Sequence, residues 1–232
     1  MTPNNQPIEK PFLHEKGMLD LHSIFHTLQG EGPFAGDRSV FVRLAVCNLQ
    51  CPGCDTEYTE GRQKVMPGYI IQAIRDVMDV KDGLVVITGG EPTRQNIGPL
   101  CQALLDARFR VQIETNGVLA PDALTFKLAW EHKITFVVSP KTSRINPDAA
   151  QCATAFKYVL KEGEIATDGL PLKALDHKAA PKVARPPEGF QGTIYINPMD
   201  EQNEMRNLLN RDACMRSALA YGYRMGVQLH KI

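Results

Sequence analysis

Three cysteines lie within eight residues of the chain, at Cys47, Cys51 and Cys54. Thiolates at such short spacings can converge on one inorganic centre. A closed structural zinc site takes four protein ligands, and a fully ligated four-iron cluster takes four cysteines. The other three cysteines stand alone and far from this group in the sequence. The residues therefore predict a centre with one position open to a ligand that is not protein. The alternatives are a distorted zinc site or a loop with incidental cysteines.

The spacing of these cysteines resembles the motif of the radical S-adenosylmethionine (SAM) superfamily. In that superfamily three cysteines hold a [4Fe–4S] cluster, and the amine and carboxylate of SAM chelate the fourth iron. The resemblance implies an oxygen-labile cluster on Cys47, Cys51 and Cys54, with SAM as a second cofactor. It also implies the fold of the superfamily, a partial (β/α) barrel of about six strands.

Strand and helix patterns alternate along most of the chain. Ser39–Val46 is a nearly continuous apolar run, as expected of a strand buried on both faces. Apolar residues within 70–78 and within 97–105 each fall on one face of a helix, and the second pattern places Cys101 in the core. This alternation predicts an α/β fold with a parallel sheet, either open or curled into a barrel. Further strands are predicted from Leu19 onward and at 83–88, 110–114, 134–138, 156–160, 193–197 and 225–229, with further helices at 121–132 and 205–213.

Two stretches fall outside this alternation. Residues 1–18 are predicted to be a disordered or extended N-terminus. Residues 161–192 are polar, contain prolines and lysines, and show no pattern, so they are predicted to form a surface insertion. The rest, 19–232, is predicted to be a single radical SAM domain with a partial (β/α)6-type barrel.

Polar residues cluster where the predicted strands end. In a parallel barrel the C-terminal ends of the strands meet at one face, where functional groups gather. The two glycines of the Thr88-Gly89-Gly90-Glu91 cluster let the backbone approach a ligand closely. As structural alternatives, the glycine-containing clusters serve as turns, and Asp200 serves as a helix N-cap. The clusters are Thr88-Gly89-Gly90-Glu91, Glu114-Thr115-Asn116-Gly117, Ser139-Pro140-Lys141 and Asn197-Pro198-Met199-Asp200.

Arg43 is a cation inside the first apolar strand, between Val42 and Leu44. A buried guanidinium needs a carboxylate or a phosphate, ideally in a bidentate pair. Two partners stay open from the sequence. One is an internal acid such as Glu31, and the other is the carboxylate of a substrate.

Several segments together narrow the resemblance to one family. His26–Gly32 (HTLQGEG), Phe41–Arg43 (FVR) and the Asp55-Thr56 pair after the last loop cysteine resemble the 7-carboxy-7-deazaguanine synthase family. The strand-end clusters and the terminal Gln228-Leu-His-Lys are similar to it as well. The similarity covers most of the chain from about Leu21 onward, although Asn197 replaces a usual glutamine.

The resemblance implies roles for individual residues. Thr56 is expected to bind Mg²⁺ beside the substrate carboxylate, and Gln29 and Glu31 can hydrogen-bond the edges of a pterin. For His230 the alternative is an exposed histidine in a frayed tail. The predicted SAM contacts are Gly53, Cys54, Asp55, Gly89, Gly90, Glu91, Glu114, Ser139, Pro140, Lys141, Asn197, Pro198, Met199 and Asp200. The predicted substrate contacts are Leu28, Gln29, Gly30, Glu31, Arg43, Thr88 and His230.

The activity implied by the resemblance is that of a carbon–nitrogen lyase in 7-deazapurine (queuosine-type) biosynthesis. It converts 6-carboxy-5,6,7,8-tetrahydropterin to 7-carboxy-7-deazaguanine with loss of ammonia, and it uses SAM as a regenerated radical source. The implied partners are the small-molecule pterin, a flavodoxin or ferredoxin-type electron donor and a second copy in a homodimer. Two other hypotheses are a glycyl-radical-enzyme activase of the same superfamily and a noncatalytic zinc-binding module.

Charge and composition argue against other classes of protein. Lys+Arg and Asp+Glu are equal at 26 each, so an extended basic surface for direct nucleic-acid binding is not expected. No apolar run approaches the roughly 20 residues of a membrane span, and the first ten residues lack the apolar core of a signal peptide. Three clustered and three solitary cysteines do not indicate a disulfide framework. A cytoplasmic location is predicted.

Overall fold

The computed structural model describes residues 4–11, 17–78, 82–175, 182–226 and 228–229. Strands and helices alternate through most of these ranges, as the sequence predicts. The strands are β1 (Leu19–Leu28), β2 (Arg38–Leu44), β3 (Gln63–Val65), β4 (Leu84–Gly89), β5 (Arg110–Thr115), β6 (Thr135–Val138), β7 (Ala155–Leu160), β8 (Thr193–Pro198) and β9 (Arg224–Met225). The helices are α1 (Pro67–Val77), α2 (Gly98–Asp106), α3 (Ala123–Trp130), α4 (Pro147–Cys152) and α5 (Glu204–Tyr221).

The strands form one nine-stranded sheet in the order β3-β1-β2-β4-β5-β6-β7-β8-β9. From β2 to β9 each strand pairs in parallel with the next in this order, and β1 and β3 add an antiparallel edge. The predicted parallel sheet is therefore confirmed. Between the open and the closed alternatives, the described strands form an open sheet of the partial-barrel type, because β3 and β9 lie at opposite ends of the order.

The main core lies between one face of the sheet and the helices. Alternate strand residues such as Val42, Ile87 and Ile113 belong to it, because successive side chains of a strand point to opposite faces. Ile70 of α1 and Cys101 of α2 pack into the same core and are fully buried. Cys101 is thus the core residue that its helical spacing predicts.

Some elements differ from the sequence prediction. The three-residue strand β3 and the six-residue helix α4 were not predicted, because both are too short to show a period. Helix α5 begins at Glu204 with Asn203 as its N-cap, so the N-cap alternative for Asp200 is wrong. The last strand covers only Arg224–Met225 instead of the predicted 225–229, and Val227 lies outside the described residues.

The stretch 161–192 is irregular where it is described, as predicted, but part of it is buried. Leu170, Ala174 and Val183 join the main core with at most 7% of their surface exposed. Asp168 and Arg185 form a bidentate ion pair across the stretch, with 2.7 and 2.9 Å between their paired atoms. The insertion is therefore packed against the sheet along part of its length.

Among the described residues, no helix has both the length and the apolar character that crossing a bilayer requires.

Candidate active site

A cavity of about 370 Å³ lies at the C-terminal ends of the parallel strands. The strand register explains its polar wall. Arg43 on β2 pairs with Thr88 on β4, and the same register continues to Glu114 on β5. The neighbouring positions on these strands, such as Val42 and Ile87, face the main core instead. The polar side chains therefore form a row on the sheet face that points away from that core.

Most of the predicted site residues line this cavity. Glu91, Pro140, Asn197 and Pro198 are not among the lining residues, and His230 lies outside the described residues. The lining residues that the sequence predicted are Leu28, Gln29, Gly30, Glu31, Arg43, Cys47, Cys51, Gly53, Cys54, Asp55, Thr56, Thr88, Gly89, Gly90, Glu114, Ser139, Lys141, Met199 and Asp200.

The loop that carries the cysteines begins with a strained turn at Val46. This residue has a φ of 69°, a left-handed conformation that a β-branched residue rarely adopts. Its amide donates to the Tyr58 carbonyl at 2.9 Å, and its carbonyl accepts from the Glu91 amide at 2.9 Å. Such conformations raise the free energy of the folded state by about 1–3 kcal/mol, and they persist where surrounding packing and hydrogen bonds hold them in place. The strain lies directly before Cys47, at the point where β2 gives way to the cysteine loop.

All three loop thiols line the cavity, and two of them are shielded from bulk water. Cys47 and Cys51 are each 7% exposed, and Cys54 is half-buried. Burial raises the pKa of the Cys47 thiol to about 12 and that of Cys51 to about 11, although the cation of Lys141 partly offsets the shift at Cys51. Without a metal these thiols hold their protons at neutral pH. A cationic centre would displace the protons, because metals bind the thiolate form.

The three thiols match a four-iron cluster with one exchangeable ligand in their number and their chemistry. In the described ranges, no three acidic, cysteine or histidine side chains lie close enough together to hold one metal ion. A four-iron cluster binds each thiolate through a different iron, so it does not require three sulfurs around one ion. Cys47, Cys51 and Cys54 could therefore hold a cluster at the cavity wall, where a further ligand would meet it.

Gly89 and Gly90 are required by the packing of β4 against the end of β2. A Cβ atom at Gly89 would lie 2.0 Å from the Leu44 carbonyl oxygen, and one at Gly90 would lie 1.9 Å from the Val46 carbonyl oxygen. The Gly90 amide also donates to the Leu44 carbonyl at 3.1 Å. Both glycines line the cavity. The pair thus brings bare backbone into the wall next to the cysteine loop.

Glu91 organises the loops around the cavity. Its carboxylate is fully buried and accepts hydrogen bonds from the amide and hydroxyl of Thr93 at 2.9 and 2.7 Å. It also accepts from the Thr115 hydroxyl at 2.6 Å and from the Asn116 amide at 2.8 Å. Burial raises the pKa of Glu91, and these donors oppose the shift. Asn116 in turn donates to the Asn48 side chain in the cysteine loop at 2.8 Å. Glu91 therefore fixes the positions of the loops that follow β2, β4 and β5 relative to one another.

A charged network lies in the cavity wall around Lys157. The Nζ of Lys157 donates to Glu114 Oε2 at 3.1 Å and also to Glu31. Gln29 donates to Glu114 Oε1 at 2.9 Å, and Gln228 donates to Glu31. Burial lowers the pKa of Lys157, but the carboxylates of Glu114 and Glu31 outweigh burial and raise it above its ordinary value. Residues that the sequence assigned separately to SAM and to the substrate thus share one network.

Among the cavity-lining residues that the sequence did not assign to a ligand, Lys157 and Gln228 belong to the charged network. Lys157 is a cation inside the apolar strand β7 (AFKYVL), which is the same signal that identified Arg43. Gln228 lies next to Leu229, whose amide donates to the Gly30 carbonyl at 3.2 Å. This contact brings the C-terminal segment to the cavity, where the family resemblance of the terminal Gln228-Leu-His-Lys places it.

Arg43 does not pair with Glu31, the internal acid that the sequence suggested as its partner. Glu31 contacts Lys157 and Gln228, so the alternative of an Arg43–Glu31 pair is wrong. The Arg43 guanidinium lies over the Phe25 ring, 5.2 Å from its centroid. Its Nε is buried and has no hydrogen-bond partner among the described residues. Arg43 therefore keeps a donor available at the cavity wall.

Four other predicted contacts are polar side chains with defined local partners. The Thr56 hydroxyl donates to Asp55 Oδ1 at 3.3 Å. Ser139 donates to the Lys157 carbonyl at 2.9 Å, and Lys141 donates to the Ser139 carbonyl at 2.8 Å. Asp200 accepts from the Asn207 side chain at 2.8 Å and lines the cavity from the end of β8.

Comparison with known proteins agrees with this geometry. A 7-carboxy-7-deazaguanine synthase of Rhodospirillum rubrum is 42% identical over 224 residues, which cover 92% of this chain and 91% of that protein. The chain belongs to the 7-carboxy-7-deazaguanine synthase family. A second member, from Rickettsia prowazekii, is 34% identical over 92% of this chain and 87% of its own length. No family model matches the chain.

The fold is also that of a solved structure. The crystal structure of QueE from Escherichia coli superposes with a TM-score of 0.66 and covers 91% of this chain and 94% of its own. The two sequences are only 21% identical, so this similarity shows the shared fold. Membership of the 7-carboxy-7-deazaguanine synthase family confirms the resemblance that the cysteine loop and the LQGEG segment indicate.

Proposed function

We propose that this protein is a radical SAM lyase that converts 6-carboxy-5,6,7,8-tetrahydropterin to 7-carboxy-7-deazaguanine with loss of ammonia. The observation that carries the proposal is a single cavity lined both by the three loop cysteines and by Gln29, Glu31 and Arg43. A cysteine loop alone suits many radical reactions. Hydrogen-bonding and cationic groups in the same cavity suit a pterin that bears a carboxylate. The relatives from Rhodospirillum rubrum and Rickettsia prowazekii bear the name of this enzyme.

Family membership implies a [4Fe–4S] cluster and SAM as cofactors. Cys47, Cys51 and Cys54 are the residues that would hold the cluster, and the backbone at Gly89 and Gly90 is available to SAM in the cavity wall. When bound, the two cofactors would supply the radical chemistry that the reaction requires. The protein's own residues orient the substrate, provide fixed charges and exclude water.

The charges in the cavity suggest which protein residue binds each group of the substrate. Arg43 presents a guanidinium suited to the pterin carboxylate. Glu31 offers carboxylate oxygens to the amino and ring N–H groups, while Lys157 supplies its counter-charge. Gln29 is fixed by its hydrogen bonds to Glu114 and to the Glu31 amide at 2.9 and 3.1 Å. This fixed arrangement holds the substrate in one orientation.

A magnesium ion at Thr56 is part of the proposal. The Thr56 hydroxyl lies in the cavity wall beside Asp55, close in sequence to Cys54. A hydroxyl is a weak ligand, so water and substrate oxygens must complete an octahedron at about 2.1 Å. The substrate carboxylate would then be shared between the ion and Arg43.

The proposed partners follow from the chemistry and from the surface. A flavodoxin or ferredoxin-type protein would supply the electron, and an oxygen-labile cluster would require the reducing cytoplasm. We also propose a homodimer. It is supported by exposed apolar residues at helical spacing on α5, namely Met205, Leu208, Leu209 and Leu219. Light scattering on the purified protein measures this assembly.

The proposed reaction is tested by an anaerobic assay. The reconstituted protein is incubated with SAM, a chemical reductant and 6-carboxy-5,6,7,8-tetrahydropterin, and the products are identified by mass spectrometry. Release of 7-carboxy-7-deazaguanine is expected. If SAM is cleaved and the pterin is left unchanged, the glycyl-radical activase is the better description. If the protein binds zinc and takes up no iron, the hypothesis of a noncatalytic zinc-binding module describes it better.

A further inference from the structure

The N-terminal residues 4–10, called the strap here, lie along the cysteine loop. Ile8 pairs with Cys47 in a parallel bridge, and the Glu9 amide donates to the Cys47 carbonyl at 2.9 Å. The Asn4 side chain donates to the Cys51 carbonyl at 3.1 Å. The strap therefore bonds directly to the backbone of two of the three predicted cluster ligands.

Within the strap, Gln6 forms the largest number of hydrogen bonds to the cysteine loop. Its Nε2 donates to the Thr56 carbonyl at 2.8 Å, and its Oε1 accepts from the Tyr58 amide at 2.8 Å. The side-chain amide thus pairs with alternate residues of the loop, as the backbone of a neighbouring strand would. Its main-chain carbonyl accepts from the Gln50 side chain at 2.7 Å. Thr56 follows Cys54 by two residues, so Gln6 fixes the loop on the far side of the third cysteine.

The other end of the strap is anchored to a buried ion pair. Arg94 donates to the Lys10 carbonyl at 3.0 Å and pairs with Asp20 at 3.1 Å. The side chains of Arg94 and Asp20 are only 1% and 2% exposed. At the surface, Glu9 pairs with Arg62 at 2.8 Å. The strap is thus held at both ends and along its middle.

The cysteine loop needs such support, because residues 48–62 contain no helix or strand of their own. Backbone carbonyls without partners in regular structure require others. The strap provides partners for the carbonyls of Cys47, Cys51 and Thr56. We propose that Gln6 is a positioning residue for the iron–sulfur cluster, and that the strap retains the cluster by holding the loop in its ligand-binding shape. The proposal rests on the proposed function, since that function requires the cluster.

The test compares the rate of iron loss between matched variants. Gln6→Met keeps the length of the side chain and removes its hydrogen bonds to the Thr56 carbonyl, the Tyr58 amide and the Thr59 hydroxyl. Asn4→Ala removes the bond to the Cys51 carbonyl and the side-chain acceptor of the Gln6 amide. Asn5→Ala is the control, because Asn5 lies in the strap and is exposed. Each full-length protein is reconstituted anaerobically, and iron release to a ferrous chelator is followed by absorbance. Loss of one or two such bonds predicts release about five- to thirtyfold faster in Gln6→Met. The Asn5→Ala rate should equal that of the wild type.

A second measurement needs no cluster. In the iron-free proteins, hydrogen exchange at the Tyr58 amide should be faster in Gln6→Met than in the wild type, with little change in Tm. Equal iron-release rates with equal exchange would overturn the role of the strap alone. A wild-type protein that assembles no cluster would instead overturn the proposed function, and the role of the strap with it.

Discussion

Lys157 on β7 donates a hydrogen bond to Glu114 on β5, with 3.1 Å between Nζ and Oε2, across the intervening strand β6. The register explains the contact. Glu114 pairs with Val137, Val137 pairs with Ala155, and Lys157 follows two residues later on the same sheet face. Lys157 also bonds to Glu31, which follows β1. The buried cation of Lys157 therefore connects Glu114, which is proposed to contact SAM, with Glu31, which is proposed to contact the substrate.

Lys157→Met should destabilise the protein and weaken substrate binding. The variant removes the cation that Glu31 and Glu114 both contact, and removing one partner of a buried ion pair costs about 3–5 kcal/mol. We expect a lower Tm and a KM for the pterin raised at least about tenfold, with Lys157→Arg partly restoring both. Lys127→Met, at an exposed position on α3, is the matched control. An unchanged KM in a folded Lys157→Met protein would remove Lys157 from the site.

Arg43→Ala should raise the KM for substrate and leave the cluster intact. Hydrogen bonds to charged groups are worth about 1.5–3 kcal/mol, which corresponds to about a ten- to hundredfold higher KM. Iron content after reconstitution should match that of the wild type. Arg38→Ala, an exposed arginine on the same strand, should change neither quantity. If Arg43→Ala unfolds the protein, its guanidinium serves the fold instead.

Cys51→Ala should abolish the cluster. The reconstituted wild-type protein should contain about four irons per chain, because three thiolates and an exchangeable ligand complete a four-iron cluster. Iron analysis and the visible absorbance of the cluster measure this. Cys152→Ala should keep its iron, since Cys152 is buried at the end of α4, away from the cysteine loop. Full iron content in Cys51→Ala would show that the loop does not hold the cluster.

Thr56→Val should weaken the response of the enzyme to Mg²⁺. The substitution keeps the shape of the side chain and removes the only oxygen that it could offer to the ion. If the ion bridges Thr56 and the substrate, turnover should depend on Mg²⁺ most strongly at low substrate concentration. Rates are measured over a series of Mg²⁺ and substrate concentrations. Full turnover in chelator without magnesium would rule out the magnesium site.

The sequence predicts the parts of the site that carry local signals. The spacing of Cys47, Cys51 and Cys54 is one such signal, and the cation of Arg43 inside an apolar strand is another. Lys157 carries the same signal in β7, and only its sheet register shows which carboxylates it meets. The sequence alone thus locates the cavity, whereas its electrostatic network depends on strand pairing.

Two features depend on contacts between distant segments. Glu91 is assigned to the cofactor by its motif, and it also bonds to the Thr115 hydroxyl and the Asn116 amide and so organises the surrounding loops. Residues 4–10 have a polar composition typical of disorder, yet they pair with the cysteine loop. In both cases the partner is a backbone or side-chain group far away in the sequence, so no local pattern reveals it.

Isotope transfer from the substrate tests the central claim most directly. The reconstituted enzyme is given SAM, reductant and 6-carboxy-5,6,7,8-tetrahydropterin that carries deuterium at C6, under anaerobic conditions. Hydrogen abstraction by a regenerated SAM-derived radical predicts 7-carboxy-7-deazaguanine together with deuterium at the 5′ carbon of the recovered SAM. The Cys51→Ala protein should give neither. Product formed without any deuterium in SAM would contradict the account.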